Sequence, residues 1–405
     1  MKLRRMWPWA ALLLYAVPGF GQERVLTLDD ALALAREQGV GVILARGRIE
    51  EARARQTQAG RRFQESPTVE VNAGYRRVDS GFLDAEAAVT QGLDAGSRRA
   101  ARLAGTQAAL DRAEAELAEA RRLLLRDVGV TFVRALVAGE RVSVLTRSRQ
   151  GAEELLATTE RRFEAGEATA LDQNRSRAAA AQARAAQSAA EAERDAALAE
   201  LKPLLGLSAG ESLDIRGSLE LRPPLDLKTL LAGLDRRPDL RALAAELREA
   251  EAEIEKGRSL ARPDWGLRGA VAREERAKIV TAGVVVTLPV HHRGEEAIAV
   301  GQARDAALRR ALDAARGAAD AQVRGRHAAL ARQLAAVQEL RTAALPALED
   351  NESLSLKSFD AGEIGLGDLL QIRREILETR LAYLDRLLDA SLTRCELEAA
   401  AGVLQ

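Results

Sequence analysis

A single cysteine, Cys395, stands among 405 residues. That excludes an internal disulfide and any metal site built from several thiolates. Aromatic residues make up only 3% of the chain while charged residues make up 30%, a balance that points to long helices packed through small side chains. Formal net charge is zero, so the chain lacks the electrostatic footprint of a nucleic-acid binder. There is no phosphate-binding glycine loop, no nucleophile elbow, no paired-histidine zinc helix and no setting for a nucleophilic cysteine. Neither an enzyme nor a cofactor is expected. Beyond the first 21 residues, no run reaches the roughly 20 apolar residues that a membrane-spanning helix requires.

Those first residues have a character of their own. Lys2, Arg4 and Arg5 precede an apolar run from Met6 to Val17, and Gly19 and Gly21 supply the small residues of a cleavage site. Residues 1–21 therefore read as a signal peptide that exports the chain. Gln22 follows the cleavage site, so lipid attachment to a cysteine there is not supported.

The remainder repeats itself. Arg161-Arg-Phe-Glu-Ala-Gly-Glu-Ala-Thr-Ala-Leu-Asp172 returns as Lys357-Ser-Phe-Asp-Ala-Gly-Glu-Ile-Gly-Leu-Gly-Asp368. Phe163, Gly166, Glu167 and Asp172 fall on Phe359, Gly362, Glu363 and Asp368. The same offset carries Leu205-Gly206-Leu207 onto Ala401-Gly402-Val403. An offset this long marks a duplicated half-protein, with a first structural repeat over 22–222 and a second over 223–405.

Each half runs from helix to hairpin to long helices. Thr27 is placed to cap a helix from Leu26 to Arg36, and after the Gly39–Gly41 break another runs from Val42 to about Arg62, ended by Pro67. The period then changes to two. Val69, Val71, Ala73 and Tyr75 form one strand, Asp79-Ser80-Gly81 a turn, and Leu83, Ala85, Ala87 and Val89 the return strand, a β-hairpin over about 67–91. Its counterpart spans about 263–290. There Trp265, Leu267, Gly269 and Val271 precede a polar turn at Glu274-Glu275-Arg276, and Val280, Ala282, Val284 and Val286 follow it.

A helix over about 97–163, roughly 100 Å long, follows the first hairpin. Leu103, Leu110, Leu117 and Leu124 give it a heptad seam, with Thr106, Ala113 and Ala120 as small partners. A second helix covers about 171–206. In the second half, Arg237-Pro238-Asp239-Leu240 opens a helix, and long helices are expected over about 295–359 and 366–402. Pro346 should bend the former near Thr342, and His327 falls in its seam with Val323, Leu330, Leu334 and Val337. Leu369, Ile372, Ile376, Thr379 and Tyr383 form the seam of the last helix.

Four strands cannot close a barrel, since small barrels need about eight, and open edges are a hazard in water and untenable in lipid. The strands have the length and two-faced pattern of tilted transmembrane strands. Their aromatic belt would be thin, with only Tyr75, Phe82 and Trp265 in or beside them. The expected fold class is mostly α with a small β part, in which copies of the chain pool their hairpins into a barrel mounted on a coiled-coil tube.

The order helix, hairpin, long helix, Phe-x-x-Gly turn and helix, twice over, resembles the TolC-like outer membrane factors. The resemblance covers about Leu26 to Val403. Arg237-Pro238-Asp239-Leu240, Leu288-Pro289-Val290-His-His-Arg-Gly294 and Leu345-Pro346 followed by Phe359-x-x-Gly362-Glu363 look most like the heavy-metal (Czc-type) resistance branch. It implies a homotrimer with a 12-stranded barrel in the outer membrane and an α-helical tunnel through the periplasm. A periplasmic adaptor and an inner-membrane pump of the RND type would be its partners, with outer membrane lipid around the barrel. The implied function is a passive exit duct for metal ions or small toxic compounds. An exit duct for protein secretion and a secreted coiled-coil protein without a channel are the other readings of the residues.

The resemblance places Phe163, Gly166, Phe359 and Gly362 at the periplasmic tip, with Asp172 and Asp368 as candidates for an acidic gate lining. Three-fold symmetry would make each Asp a ring of carboxylates attractive to cations, though an Asp in the first turn of a helix also serves as a cap. Position 364, basic in some relatives, is Ile364 here, which speaks against a salt-bridged lock at the tip. His291 and His292 with Glu295 and Glu296 have metal-ligand chemistry, but adjacent side chains on a strand end point to opposite faces, so no metal site is expected.

Overall fold

The computed structural model describes residues 24–77, 81–94, 96–219, 223–274, 277–291 and 293–403. The signal peptide, Asp79, Ser80, Glu275, Arg276 and His292 named above lie outside them. The first half holds β1 (Arg24–Leu26), α1 (Leu28–Gln38), α2 (Val40–Ala59), β2 (Thr68–Arg77), β3 (Gly81–Leu93), α3 (Gly96–Glu164), α4 (Ala170–Leu204) and β4 (Leu213–Ile215). The second holds α5 (Leu227–Ala232), α6 (Pro238–Leu260), β5 (Asp264–Glu274), β6 (Ala277–Thr287), α7 (Glu295–Glu339), α8 (Leu345–Asp360) and α9 (Leu366–Ala400).

Local chemistry sets most of these boundaries. The Thr27 hydroxyl accepts from the Asp30 N–H at 3.3 Å, and the Asp30 carboxylate accepts from the Thr27 N–H at 3.1 Å. This reciprocal box starts α1. Gly39 separates α1 from α2, and Gly60 ends α2 well before Pro67, so the helix is shorter than the proline alone suggests.

Four expectations need correction. First, the described residues contain six strands, not four: β1 and β4 form a parallel pair, with Arg24 opposite Leu213 and Leu26 opposite Ile215. Three residues apiece are too few to show a period. Second, Leu26 belongs to β1, so the first helix begins only after Thr27. Third, the helix over 295–359 is two helices joined by a π turn at Leu340–Ala344. Pro346 has no N–H and its ring would press on the Thr342 carbonyl; the wider turn relieves both, and the Thr342 hydroxyl bonds the Gln338 carbonyl at 2.8 Å.

The fourth correction concerns the seam of α3. Its leucines face the N-terminal helices: Leu110 and Leu117 pack on Ile49, Ala52 and Ala113, and Leu124 on the cluster of Ala31, Ala35, Val128 and Phe132. Ala101, Ala108, Ala115 and Arg122, also spaced by seven, form a second buried line, whereas the leucines themselves are only half-buried. Along this line a Cβ added to Gly105 would meet that of Ala252 on α6 at 3.5 Å. Small residues admit the closer approach, so they form the tighter seam.

Elsewhere the packing follows the sequence pattern. Val323, Leu330 and Val337 of α7 are buried against Leu387, Ala390 and Leu397 of α9, with His327 half-buried in step. Gly294 takes a left-handed φ of 81°, and a Cβ there would fall 2.2 Å from the Gly257 carbonyl oxygen. Only glycine lets the end of the hairpin cross α6 so closely.

The Arg-Pro-Asp run serves the end of α9. Arg237 donates to the Ala400 carbonyl at 2.8 Å and is held by Asp239 at 2.6 and 3.0 Å. Arg122 donates to the Ala399 carbonyl at 2.7 Å and is held by Glu119 at 2.6 Å. Two buried guanidiniums thus bond the last carbonyls of α9 and sit at its negative dipole end. Burial works to raise the pKa of Asp239, but the bonds from Arg237, with Arg122 nearby, outweigh it and hold the group below its ordinary value.

Because its folded pKa is depressed, Asp239 adds stability above its unfolded pKa and loses it as pH falls through the folded value. Arg237→Ala should cost about 1–3 kcal/mol, because it strips the Ala400 carbonyl of its donor and leaves the half-buried Asp239 without its partner. Melting curves across the acid range should show this loss together with a flatter acid dependence than the wild type.

Candidate functional site: the sheet faces and the helical tips

The strand order β2-β3-β5-β6 is antiparallel throughout. Its register sorts the side chains into two unlike faces. Val69, Val71, Tyr75, Leu83, Val89, Trp265, Leu267, Val271, Val280, Val284 and Val286 share one face, each between 42% and 78% exposed. An uncovered apolar face of this extent marks a surface meant for lipid or for a partner.

The other face carries charge. Arg268 pairs with Glu70 at 3.1 Å and Glu86 at 3.2 Å, and Arg76 with Asp84 at 2.9 Å and Glu274 at 4.0 Å. Within this sheet β2 and β6 each pair on one side only.

At the far end of the long helices lie the two repeated turns. Gly166 and Gly362 have φ of 79° and 76°, and a Cβ at either would meet nothing within 4 Å. Glu167 N–H reaches the Arg162 carbonyl at 2.7 Å and Gly166 N–H the Phe163 carbonyl at 2.9 Å. Glu363 reaches Ser358 at 2.8 Å and Gly362 reaches Phe359 at 3.1 Å in the same way. Both are Schellman closures, in which a left-handed residue satisfies the last helical carbonyls. Glycine is there for its backbone, since nothing crowds the position.

The two aspartates both cap the following helix. Asp172 accepts from the Thr169 N–H at 3.2 Å and from its hydroxyl at 2.6 Å, while the Asp172 N–H donates to that hydroxyl at 3.1 Å. Those bonds from Thr169 hold its carboxyl below the ordinary range. Asp368 accepts from the Gly365 N–H at 3.2 Å, and glycine offers no hydroxyl in return.

The two phenylalanines part company. Phe359 is 9% exposed and packs with Leu155, Leu366 and Leu369, flanked by Ile364 and Leu370, and the Arg162 guanidinium lies 5.1 Å from its ring centre. Phe163 is 38% exposed. Ile364 thus completes an apolar cluster where the resemblance leads one to look for a basic side chain.

Sequence reasoning missed Leu155, Arg162 and Arg373. Arg373 on α9 donates to the Gly151 carbonyl of α3 at 2.8 Å, and burial pushes its pKa down. No local pattern announces contacts across 222 residues. Beside it a cleft of about 540 Å³ opens between α3, α4 and α9, lined by Ser148, Arg175, Gln182, Gln371, Arg373 and Arg374 among others. At the opposite end of the molecule His291 is exposed. Among the described residues no group of three or more His, Cys, Asp or Glu is placed to hold a metal ion.

A two-faced sheet with open edges, continuous with helices of about 100 Å, is the build of an outer membrane channel-tunnel. Residues 32–207 match the family of outer membrane efflux proteins. The cobalt-zinc-cadmium resistance protein CzcC of Cupriavidus metallidurans is 25% identical over 378 residues, 91% of this chain and 88% of the relative. The CmeC outer membrane channel of Campylobacter jejuni shares the fold with a TM-score of 0.75 at 17% identity, covering 93% of this chain and 85% of that one. For the outer membrane protein VceC of Vibrio cholerae the TM-score is 0.76 at 15% identity, covering 93% and 96%. Fold and matches together make the chain similar to the TolC-like outer membrane factors, efflux channels of the outer membrane that extend into the periplasm.

The two caps make opposite tests. Thr169→Ala should let the Asp172 carboxyl titrate upward toward its ordinary value and cost about 1 kcal/mol of local stability. Gly365 has extended backbone (φ −82°, ψ 165°), and an added Cβ would meet only the Asp368 carboxylate at 3.5 Å. Gly365→Thr should therefore complete the second box and stabilise the tip by about 0.5–1 kcal/mol. Carboxyl NMR and hydrogen exchange of the tip amides read the two effects.

Proposed function

We propose that three copies of this chain pool their hairpins into a 12-stranded barrel and their long helices into one tunnel. The observation that carries the reading is the sheet, with an apolar face suited to lipid, a charged face suited to a wet lumen, and two unpaired edges that a neighbouring copy can close. The halves 22–222 and 223–405 are read as duplicates, supported by the matching left-handed glycines Gly166 and Gly362, and Gly206 and Gly402.

In this reading the duct is passive. Metal ions or small toxic compounds reach it from an inner-membrane pump of the RND type through a periplasmic adaptor, and the pump chooses the cargo. The cobalt-zinc-cadmium resistance protein among the relatives supports a metal cargo. The turns around Phe163, Gly166, Phe359 and Gly362 form the periplasmic tip. Asp172 and Asp368, while capping their helices, present rings of three carboxylates to the axis, where passing cations are attracted.

Detergent-extracted protein should migrate and cross-link as a trimer and conduct ions in planar bilayers; recovery solely as a soluble monomer would sink the reading. Asp368→Ala should change conductance and weaken its block by divalent cations, with stability lowered by no more than the roughly 1 kcal/mol of a lost cap. Unchanged conductance and block would leave Asp368 as a cap alone.

A further inference from the structure

The apolar face of the sheet also carries charge, and all of it has one sign. Arg273 of β5 lies directly opposite Lys278 of β6, one step beyond Val271 and Val280 toward the hairpin turn. On the first hairpin Arg77 holds the corresponding place beyond Tyr75 on the same face. All three side chains are exposed, and among the described residues none of them has an ion pair. Every carboxylate of the four strands lies on the opposite face.

This arrangement is costly within the protein alone. Like charges directly opposite on adjacent strands repel, and among the described residues the register turns the carboxylates of the strands toward the other side. An anion from outside can relieve them. We propose that Arg77, Arg273 and Lys278 bind the phosphates of lipid headgroups in the outer leaflet around the barrel.

The inference rests on the barrel reading. The helices leave the sheet at one end, so the hairpin turns point away from the periplasmic tube. Eight residues separate Trp265 from Arg273, about 26 Å along the strand, or roughly 20 Å of height at the tilt of about 40° that barrel strands take, which spans most of one apolar band. The cations stand where hydrocarbon gives way to headgroups. A guanidinium there can grip a phosphate with two bonds, and the three cations in each copy add their attraction to an anionic surface.

The test uses the full-length protein reconstituted in phosphatidylcholine vesicles doped with bis-phosphorylated lipid A or with its dephosphorylated form. After gentle re-extraction, native mass spectrometry counts the bound lipid A. Retention of the phosphorylated form should exceed that of the other roughly tenfold. The combined variant Arg77→Gln, Arg273→Gln and Lys278→Gln should lose this preference, and the swap Arg273→Lys with Lys278→Arg should keep it. Equal retention of the two lipids by the wild type overturns the proposal, as does an undiminished preference in the triple variant. Conductance of the same preparations in plain phosphatidylcholine bilayers separates the two readings. A conducting protein without lipid preference loses this inference alone, whereas a protein that does not insert loses the barrel and this inference with it.

Discussion

An exposed apolar sheet face with two open edges is the constraint on which the rest of the structure depends. In water such a sheet would stick to its own kind, and in lipid each unpaired edge group would be orphaned. In the proposed assembly, lipid against one face and further copies at the edges resolve both problems together. The charged face needs no outside help, because each arginine there is already held by two carboxylates.

The helices inherit their positions from that arc. Only Asp94 and Ala95 separate β3 from α3, so the sheet aims the long helix directly. Ion pairs of Arg98 with Asp264 and of Arg102 with Asp94 tie the junction, and Arg102 also reaches the Ala59 carbonyl at 3.2 Å. Below the junction the helices stay close because alanine and glycine line their contacts. Such packing leaves little room for error, and the two buried arginines at the end of α9 set where that helix stops against α3 and α6.

Much of this was legible in the residues. The alternation of Val69, Val71 and Tyr75 with polar neighbours marked a two-faced strand, and the Phe-x-x-Gly repeats marked the helix turns, because both depend on neighbours in sequence. The capping role of Asp172 was visible as one of two readings, and the geometry adds the hydroxyl of Thr169. What stayed hidden depends on distance. Leucines at every seventh position look like the main seam of α3, yet the choice between two heptads is made by what lies opposite. The relief of Pro346 by a π turn is likewise a decision of the surrounding packing, since a simple kink satisfies the same local rule. Arg373 and Arg162 act across contacts that no local spacing records.

The two repeated turns differ in how they are packed. The first copy keeps Phe163 at the surface, and α4 is tied to α3 there by an exposed pair, Arg177 with Glu160 at 3.0 Å. Such pairs contribute little and break easily. The second copy buries Phe359 against Leu155 of α3, covers it with Arg162, and fastens α9 to α3 through Arg373. Parting α8 and α9 from α3 must expose an aromatic side chain and strip a half-buried guanidinium of its carbonyl, and both are costly. Where an ion-paired contact would weaken with salt, this contact is apolar and hydrogen-bonded, so it is largely insensitive to ionic strength. Ile364 fits that logic: a basic residue at this position would bring charge into the cluster that holds the second tip against the first.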